Sequence, residues 1–189
     1  MNDRDRLYEI REELKKCLSS ERYQHTLGVE FTAAALAMRY GADVYKAELA
    51  GLLHDCAKEY SNEVLVERCG KDAGTPKTLH AVYGPVVAKE KYGIDDAEIL
   101  SSIRWHTTGK ADMALLDKII YVADFIEPCR EMITILPEIR KLAFQDLTFA
   151  VYRIAQETIP YVKMRNLPID EHTFDCYNWL KENGKHDEQ

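Results

Sequence analysis

Apolar and polar positions along this chain alternate with a helical period almost throughout. A first amphipathic helix is expected from about Arg4 to Leu18. A second begins near Ser20 and runs through Val29, Phe31, Ala35 and Met38 to a natural stop at Gly41. Asp43 is a good N-cap for a third, and Ser61 for a short fourth ending near Gly70. Lys71 to Thr78 is a polar loop, followed by a fifth helix that carries His80 and stops at Gly93. Asp95 with Glu98 three residues later fits a capping box for a sixth, ending around His106. A seventh is expected from Asp112 to about Ile126, where Pro128 terminates it, and Pro137 to Thr158 reads as further helix. A last one lies after Pro168, around Phe174 to Leu180. No hairpin signal or sustained two-residue alternation appears, so the expected fold class is all-α, a helical bundle without a sheet.

Within that pattern one pair of residues stands out. The third helix carries the apolar run Leu49-Ala50-Gly51-Leu52-Leu53-His54-Asp55-Cys56-Ala57-Lys58. An imidazole and a carboxylate on the buried side of a helix need a compensating partner, because unpaired polar groups out of water cost free energy. Coordination of a shared metal ion supplies one. Matching ligand types occur on separate segments: His25, His80, His106 and Asp124. Taken singly each has an ordinary reading, as a hydrogen-bonded core histidine, a helix-end charge or a turn cap. Taken together, four histidines and two carboxylates on different helices are what a metal centre inside a helical bundle requires.

Composition narrows the choice of partner. The 25 basic and 32 acidic residues give a formal charge of -7, which does not attract a polyanion and argues against nucleic-acid binding as the main task. Five cysteines, odd in number and without a CxxC pair, read as reduced thiols rather than a disulfide or zinc framework. The start of the chain is charged with no apolar segment behind it, and no run is long enough to span a membrane. A cytoplasmic protein with no membrane partner is the expectation. The length suits one domain over residues 1–189.

The ordered series His25, His54-Asp55, Asp124 resembles the HD-domain metal-dependent phosphohydrolase superfamily. Longer strings are similar to its YqeK-like branch, the symmetrical diadenosine-tetraphosphate hydrolases. They are Arg22-Tyr23-Gln24-His25-Thr26-Leu27-Gly28-Val29, Leu52 to Lys58, Leu79-His80, Arg104-Trp105-His106-Thr107-Thr108-Gly109, Leu116 to Asp124, Glu127-Pro128-Cys129-Arg130 and Tyr177 to Leu180. The likeness extends from about Arg22 to Leu180 and implies an HD-type helical bundle with a two-metal centre, iron being the family's metal. It also implies hydrolysis of dinucleoside tetraphosphates, with symmetrical cleavage of Ap4A to two ADP.

The donor chemistry is consistent with this. A mixed imidazole and carboxylate set suits Fe, Mn, Co or Zn and does not choose among them. His25, His54, Asp55 and Asp124 would hold one ion, His80 and His106 would add a second, and Asp55 is the natural bridge. For a nucleotide substrate, Lys58 lies four residues after His54 and three after Asp55, on their face if the helix continues. Arg104 and Arg130 are further phosphate candidates, and the Thr107-Thr108-Gly109 loop offers hydroxyl and backbone N–H donors. Asp117, seven residues before Asp124, reads as a partner behind one of the histidines. Tyr8, Tyr23, Tyr40, Tyr83 and Tyr92 are expected to be core or half-buried aromatics, with one or two at a nucleoside pocket. Other readings remain open on the same ligands: a 5′-nucleotidase or cyclic-nucleotide phosphodiesterase, a di-iron oxygenase, or a nucleotide sensor without turnover. A homodimer is compatible with the sequence.

Overall fold

A computed structural model describes residues 2–184, and among these there are ten helices and no strand. They are α1 (Asp3–Cys17), α2 (Ser20–Tyr40), α3 (Val44–Leu53), α4 (Asn62–Cys69), α5 (Leu79–Tyr92), α6 (Ala97–Trp105), α7 (Leu115–Ile126), α8 (Leu136–Ala143), α9 (Leu147–Met164) and α10 (Glu171–Asn183). The all-α expectation holds. Among the described residues no helix is long and apolar enough to cross a membrane.

Local chemistry sets most helix ends. Asn2, Ser19, Asp43, Ser61, Asp146 and Asp170 each accept a backbone N–H with the side chain at a helix start. Gly41 and Gly93 close α2 and α5 in the left-handed conformation, at φ 71° and 64°.

Four boundaries differ from the sequence reading. The cap of α6 is Asp96, which accepts from the N–H groups of Glu98 and Ile99, while Asp95 is left to pair with Lys89 at 3.0 Å. Helix α7 starts three residues later than Asp112, which has φ 49°; its first turn is held by the Asp117 carboxylate accepting from the Ala114 N–H. The stretch from Pro137 to Thr158 is two helices, because the chain breaks at Phe144 and restarts on the Asp146 cap. Most consequentially, α3 ends at Leu53, so His54, Asp55 and Lys58 lie in the tight turns that follow it. Cys56 N–H still reaches Leu53 O at 3.1 Å and Lys58 N–H reaches Asp55 O at 2.9 Å, so the three side chains keep a helix-like spacing.

Helix α7 is the hub. It packs on α2, α3, α6, α8 and α9, and Ile119, Ile120, Tyr121, Val122 and Ala123 are all buried. Helices α2 and α3 make the most extensive pairing. Gly51 permits it: a Cβ there would stand 2.8 Å from the Cα of Glu30. Glu30 itself is buried and held by Arg11, whose Nε lies 3.1 and 3.0 Å from its two oxygens, fixing α1 against α2.

Gly51→Ala is therefore expected to destabilise the fold although alanine is the better helix former. The backbones must part, and a loss of roughly 1–3 kcal/mol is expected, as for overpacking generally. Chemical denaturation reads it; an unchanged or raised midpoint would show that the α2–α3 contact has slack.

Candidate metal centre

Five elements bring one polar side chain or more to a common point. His25 comes from the second turn of α2, His54 and Asp55 from the turns after α3, His80 from the start of α5, His106 from the C-terminal cap of α6, and Asp124 from the last turns of α7. Their ligand atoms form three overlapping groups capable of holding an ion, His25/His54/Asp55, His54/His106/Asp124 and Asp55/His80/His106, each within 4.8 Å.

The arrangement has two sides. On one, His25 Nε2 is 3.2 Å from His54 Nε2 and 3.1 Å from Asp124 Oδ1. On the other, His80 Nε2 and His106 Nε2 are 3.3 Å apart and stand 3.2 and 3.4 Å from Asp55 Oδ1. Asp55 joins the two, since its Oδ2 is 3.6 Å from His54 Nε2.

The hydrogen bonds behind the rings decide what faces inward. His54 Nδ1 is 2.6 Å from Gly51 O and His106 Nδ1 is 2.7 Å from Ile103 O, so both must carry their proton there. His25 Nδ1 likewise donates to Glu127 Oε1 at 3.2 Å. The Nε2 lone pairs of His54 and His106 then point into the cluster with the carboxylate oxygens, acceptor toward acceptor. Asp55 Oδ1, buried, has no hydrogen-bond donor. Such a convergence is repulsive in a low dielectric unless positive charge sits inside it. A divalent cation fits.

The proton affinities agree. Burial pushes His54 and His80 down to about 4, so both are neutral ligands at physiological pH. Burial alone would raise the Asp55 carboxyl, but His54, His106, His80 and Lys58 outweigh it and hold it well below the usual range. Asp124 is depressed in the same way by His25, His54 and Arg130. His25 goes the other way: burial lowers it, yet the hydrogen bond and charge of Asp124 raise it overall.

Three basic residues border the cluster. Lys58 Nζ is 3.1 Å from His80 Nε2 and 3.8 Å from Asp55 Oδ1. Arg130 donates to Asp124 Oδ1 at 3.0 Å. The third, Arg22, was not foreseen; it donates to Asp55 Oδ2 at 2.8 Å, three residues before His25 and one helical turn away. Arg104 lies elsewhere. It is two residues from His106 and hence on another face of α6; its guanidinium sits over Trp105, 4.1 Å from the ring centroid, and feels the charge of Asp170. Of the loop after α6, Thr107 reaches the cluster, with Oγ1 2.9 Å from His106 Nε2. Thr108 turns inward to Gly109 O at 2.8 Å, and Gly109, at φ 66°, packs against Cys176.

Asp117 touches none of the histidines, being engaged by Ala114 N–H and Lys110. The carboxylate behind a histidine is Glu127, which also accepts from Cys129 N–H at 2.6 Å. Its place depends on Gly28, where any Cβ would collide with the Glu127 carboxylate. Both residues lie in strings that marked the resemblance, but nothing local in the sequence pairs them. Beyond the His25–Asp124 side opens a cleft of about 870 Å³, bordered by Arg22, Glu127, Arg130, Phe125 and Tyr161. None of the five tyrosines noted from sequence lines it: Tyr83 and Tyr92 are buried, Tyr23 and Tyr40 half-buried, and Tyr8 exposed.

Comparison with known proteins accords with this geometry. The HD-domain family profile matches residues 22–128, which include all six clustered side chains. The symmetrical bis(5′-nucleosyl)-tetraphosphatase of Bacillus subtilis is 39% identical over 174 residues, covering 88% of this chain and 93% of that protein. Its counterpart in Halalkalibacterium halodurans is 40% identical, with 88% and 92% covered. A solved structure from Clostridium acetobutylicum, described as a predicted HD superfamily hydrolase involved in NAD metabolism, superposes with a TM-score of 0.85 at 37% identity, covering 92% of this chain and 96% of that one. The chain belongs to the HD-domain family, in the branch of the symmetrical bis(5′-nucleosyl)-tetraphosphatases.

Proposed function

We infer that this protein hydrolyses dinucleoside tetraphosphates, cutting Ap4A at its centre into two ADP. The observation that carries the reaction class is the Asp55 carboxylate set between two pairs of histidines, with Lys58 near one end and Arg130 near the other. Nearly full-length similarity to proteins named symmetrical tetraphosphatases supports the substrate.

In this reading the cluster holds two divalent ions, iron by family resemblance, with Mn, Co or Zn acceptable to the same donors. His25, His54, Asp55 and Asp124 would hold the first, and Asp55, His80 and His106 would hold the second. When bound, the ions acidify a water molecule and act as Lewis acids on a phosphoryl group. The protein's own part is orientation and charge. Glu127, Gly51 O and Ile103 O fix the ring planes of His25, His54 and His106, so the inward nitrogens are set before any ion arrives. Lys58 and Arg130 neutralise phosphate oxygens as negative charge builds, and Thr107 Oγ1 supplies a hydroxyl beside the His80 and His106 pair. Arg104, farther off, rests on Trp105 and has a lesser part. Five unpaired thiols are in keeping with a reducing, cytoplasmic setting.

Three measurements test this. Asp55→Ala should lose metal and activity together, with turnover down by more than about 10²-fold while helical content is retained. Elemental analysis beside circular dichroism reads both, and a variant that keeps two ions per chain and near-normal turnover would sink the bridging role. Lys58→Ala should keep its metal but lose about 10²–10³-fold in kcat/KM, as when one charge-stabilising donor is removed. Arg104→Ala should lose less than about tenfold, because its guanidinium rests on Trp105; equal losses would mean that it swings to the phosphates in the complex. Finally, early products from Ap4A in ¹⁸O-labelled water should be ADP alone, with label in half of it. Label in ATP or AMP would exclude attack at the centre, and no cleavage of Ap4A alongside turnover of mononucleotides would favour a 5′-nucleotidase.

A further inference from the structure

We propose that the cleft beside His25 and Asp124 is the seat of one nucleoside of the substrate, with Tyr161 as the stacking surface for its base and Arg22 joining Arg130 as the grip on the phosphates between base and metal centre. This rests on the reading of the protein as a dinucleoside polyphosphate hydrolase and adds where, and by which residues, one end of that substrate is held.

The cleft has the size and the gradient that such a ligand needs. Its volume of about 870 Å³ falls within the range of pockets that enclose drug-sized molecules. It begins at the cluster, with Arg22, His25 and Arg130, and ends on the second half of α9 and the segment before α8, with Tyr161, Val162 and Ile133. The two guanidiniums lie at the phosphate end. Each is bound to a carboxylate of the cluster, Arg22 to Asp55 Oδ2 at 2.8 Å and Arg130 to Asp124 Oδ1 at 3.0 Å. Any ion that takes those oxygens competes with both arginines and turns their planar donors toward the anion that comes with it.

At the far end, beside Glu157 and Thr158, two large side chains stand open to solvent. Tyr161 is 50% exposed and Ile133 48% exposed. Arg165 lies over the Tyr161 ring, 4.6 Å from its centroid, and the ring stands at the mouth of a cleft whose two arginines, Arg22 and Arg130, sit among the carboxylates of Glu21, Glu127, Glu131 and Glu157. Bases stack on such a ring without regard to their hydrogen-bonding edge. The Lys58 side of the cluster contributes no residue to this cleft, so the two halves of a symmetrical substrate are held unequally, one enclosed and one toward Lys58.

The test uses metal-loaded protein and two probes, ADP and inorganic pyrophosphate, followed by calorimetric titration, with Ap4A kinetics alongside. Tyr161→Ala and Ile133→Glu, both at exposed positions, should each weaken ADP binding and raise KM for Ap4A by roughly fivefold or more, with kcat within about twofold. Tyr161→Phe should restore both values, and pyrophosphate binding should be unchanged in all three. Arg22→Ala should weaken both probes. If ADP affinity and KM stay within twofold of wild type in Tyr161→Ala and Ile133→Glu while Ap4A is cleaved to ADP, the cleft assignment falls and the proposed reaction stands. If wild type fails to cleave Ap4A but binds ADP in a Tyr161-dependent way, the reaction falls and the cleft remains a nucleotide site. An equal loss of ADP and pyrophosphate in Tyr161→Ala would overturn the stacking role.

Discussion

The structure depends on one unfavourable arrangement: carboxylate oxygens and imidazole lone pairs facing one another inside an apolar bundle. Asp55 is at its centre, buried, with His80 and His106 on one oxygen and Arg22 on the other. Left to itself such a group of acceptors would repel and draw in protons or water. It persists because three of the four histidines are anchored from behind, His54 to Gly51 O, His106 to Ile103 O and His25 to Glu127, and because those anchors belong to segments already locked by packing. The site is prepared for positive charge before that charge arrives.

Packing and chemistry are therefore linked through a few close approaches. Gly51 lets α3 lie on α2 and its carbonyl also orients His54, so the same residue serves the core and the site. Gly28 plays the corresponding part between α2 and Glu127, which orients His25. Helix α7 contributes Asp124 from its buried hub, and a shift of any of its five neighbours would move that carboxylate relative to His25. Ligand geometry in this protein is a property of helix contacts more than of the loops around them.

The charge layout explains how an acidic protein can take an anionic substrate. A formal charge of -7 works against binding a polyanion over the surface as a whole. Lys58, Arg130 and Arg22 are all drawn to the cluster by its carboxylates, which concentrates cationic groups at one place. In the proposed function, that contrast between a local patch and its surroundings would favour a small polyphosphate over a nucleic acid.

The sequence by itself determined the all-α class, most helix ends and the six residues that converge, because helical periodicity, N-cap side chains and stop glycines are local signals, and because six ligand types in a known order are rare by chance. It misplaced the start of α7 and the break before α9, where a positive-φ Asp112 and the Asp146 cap compete with an uninterrupted apolar pattern. Only the tertiary structure decided which side chains stand behind the ligands. Asp117 had the helical spacing for that role, yet Glu127 fills it, since α7 turns the Asp117 carboxylate to its own first turn while Gly28 opens room for Glu127. Arg22 and Arg104 separate for the same kind of reason. Both lie close in sequence to a histidine of the cluster, but three residues of helix keep Arg22 on the His25 face and two carry Arg104 around to Trp105. Proximity along the chain names candidates; the helical turn and the contacts across the bundle choose among them.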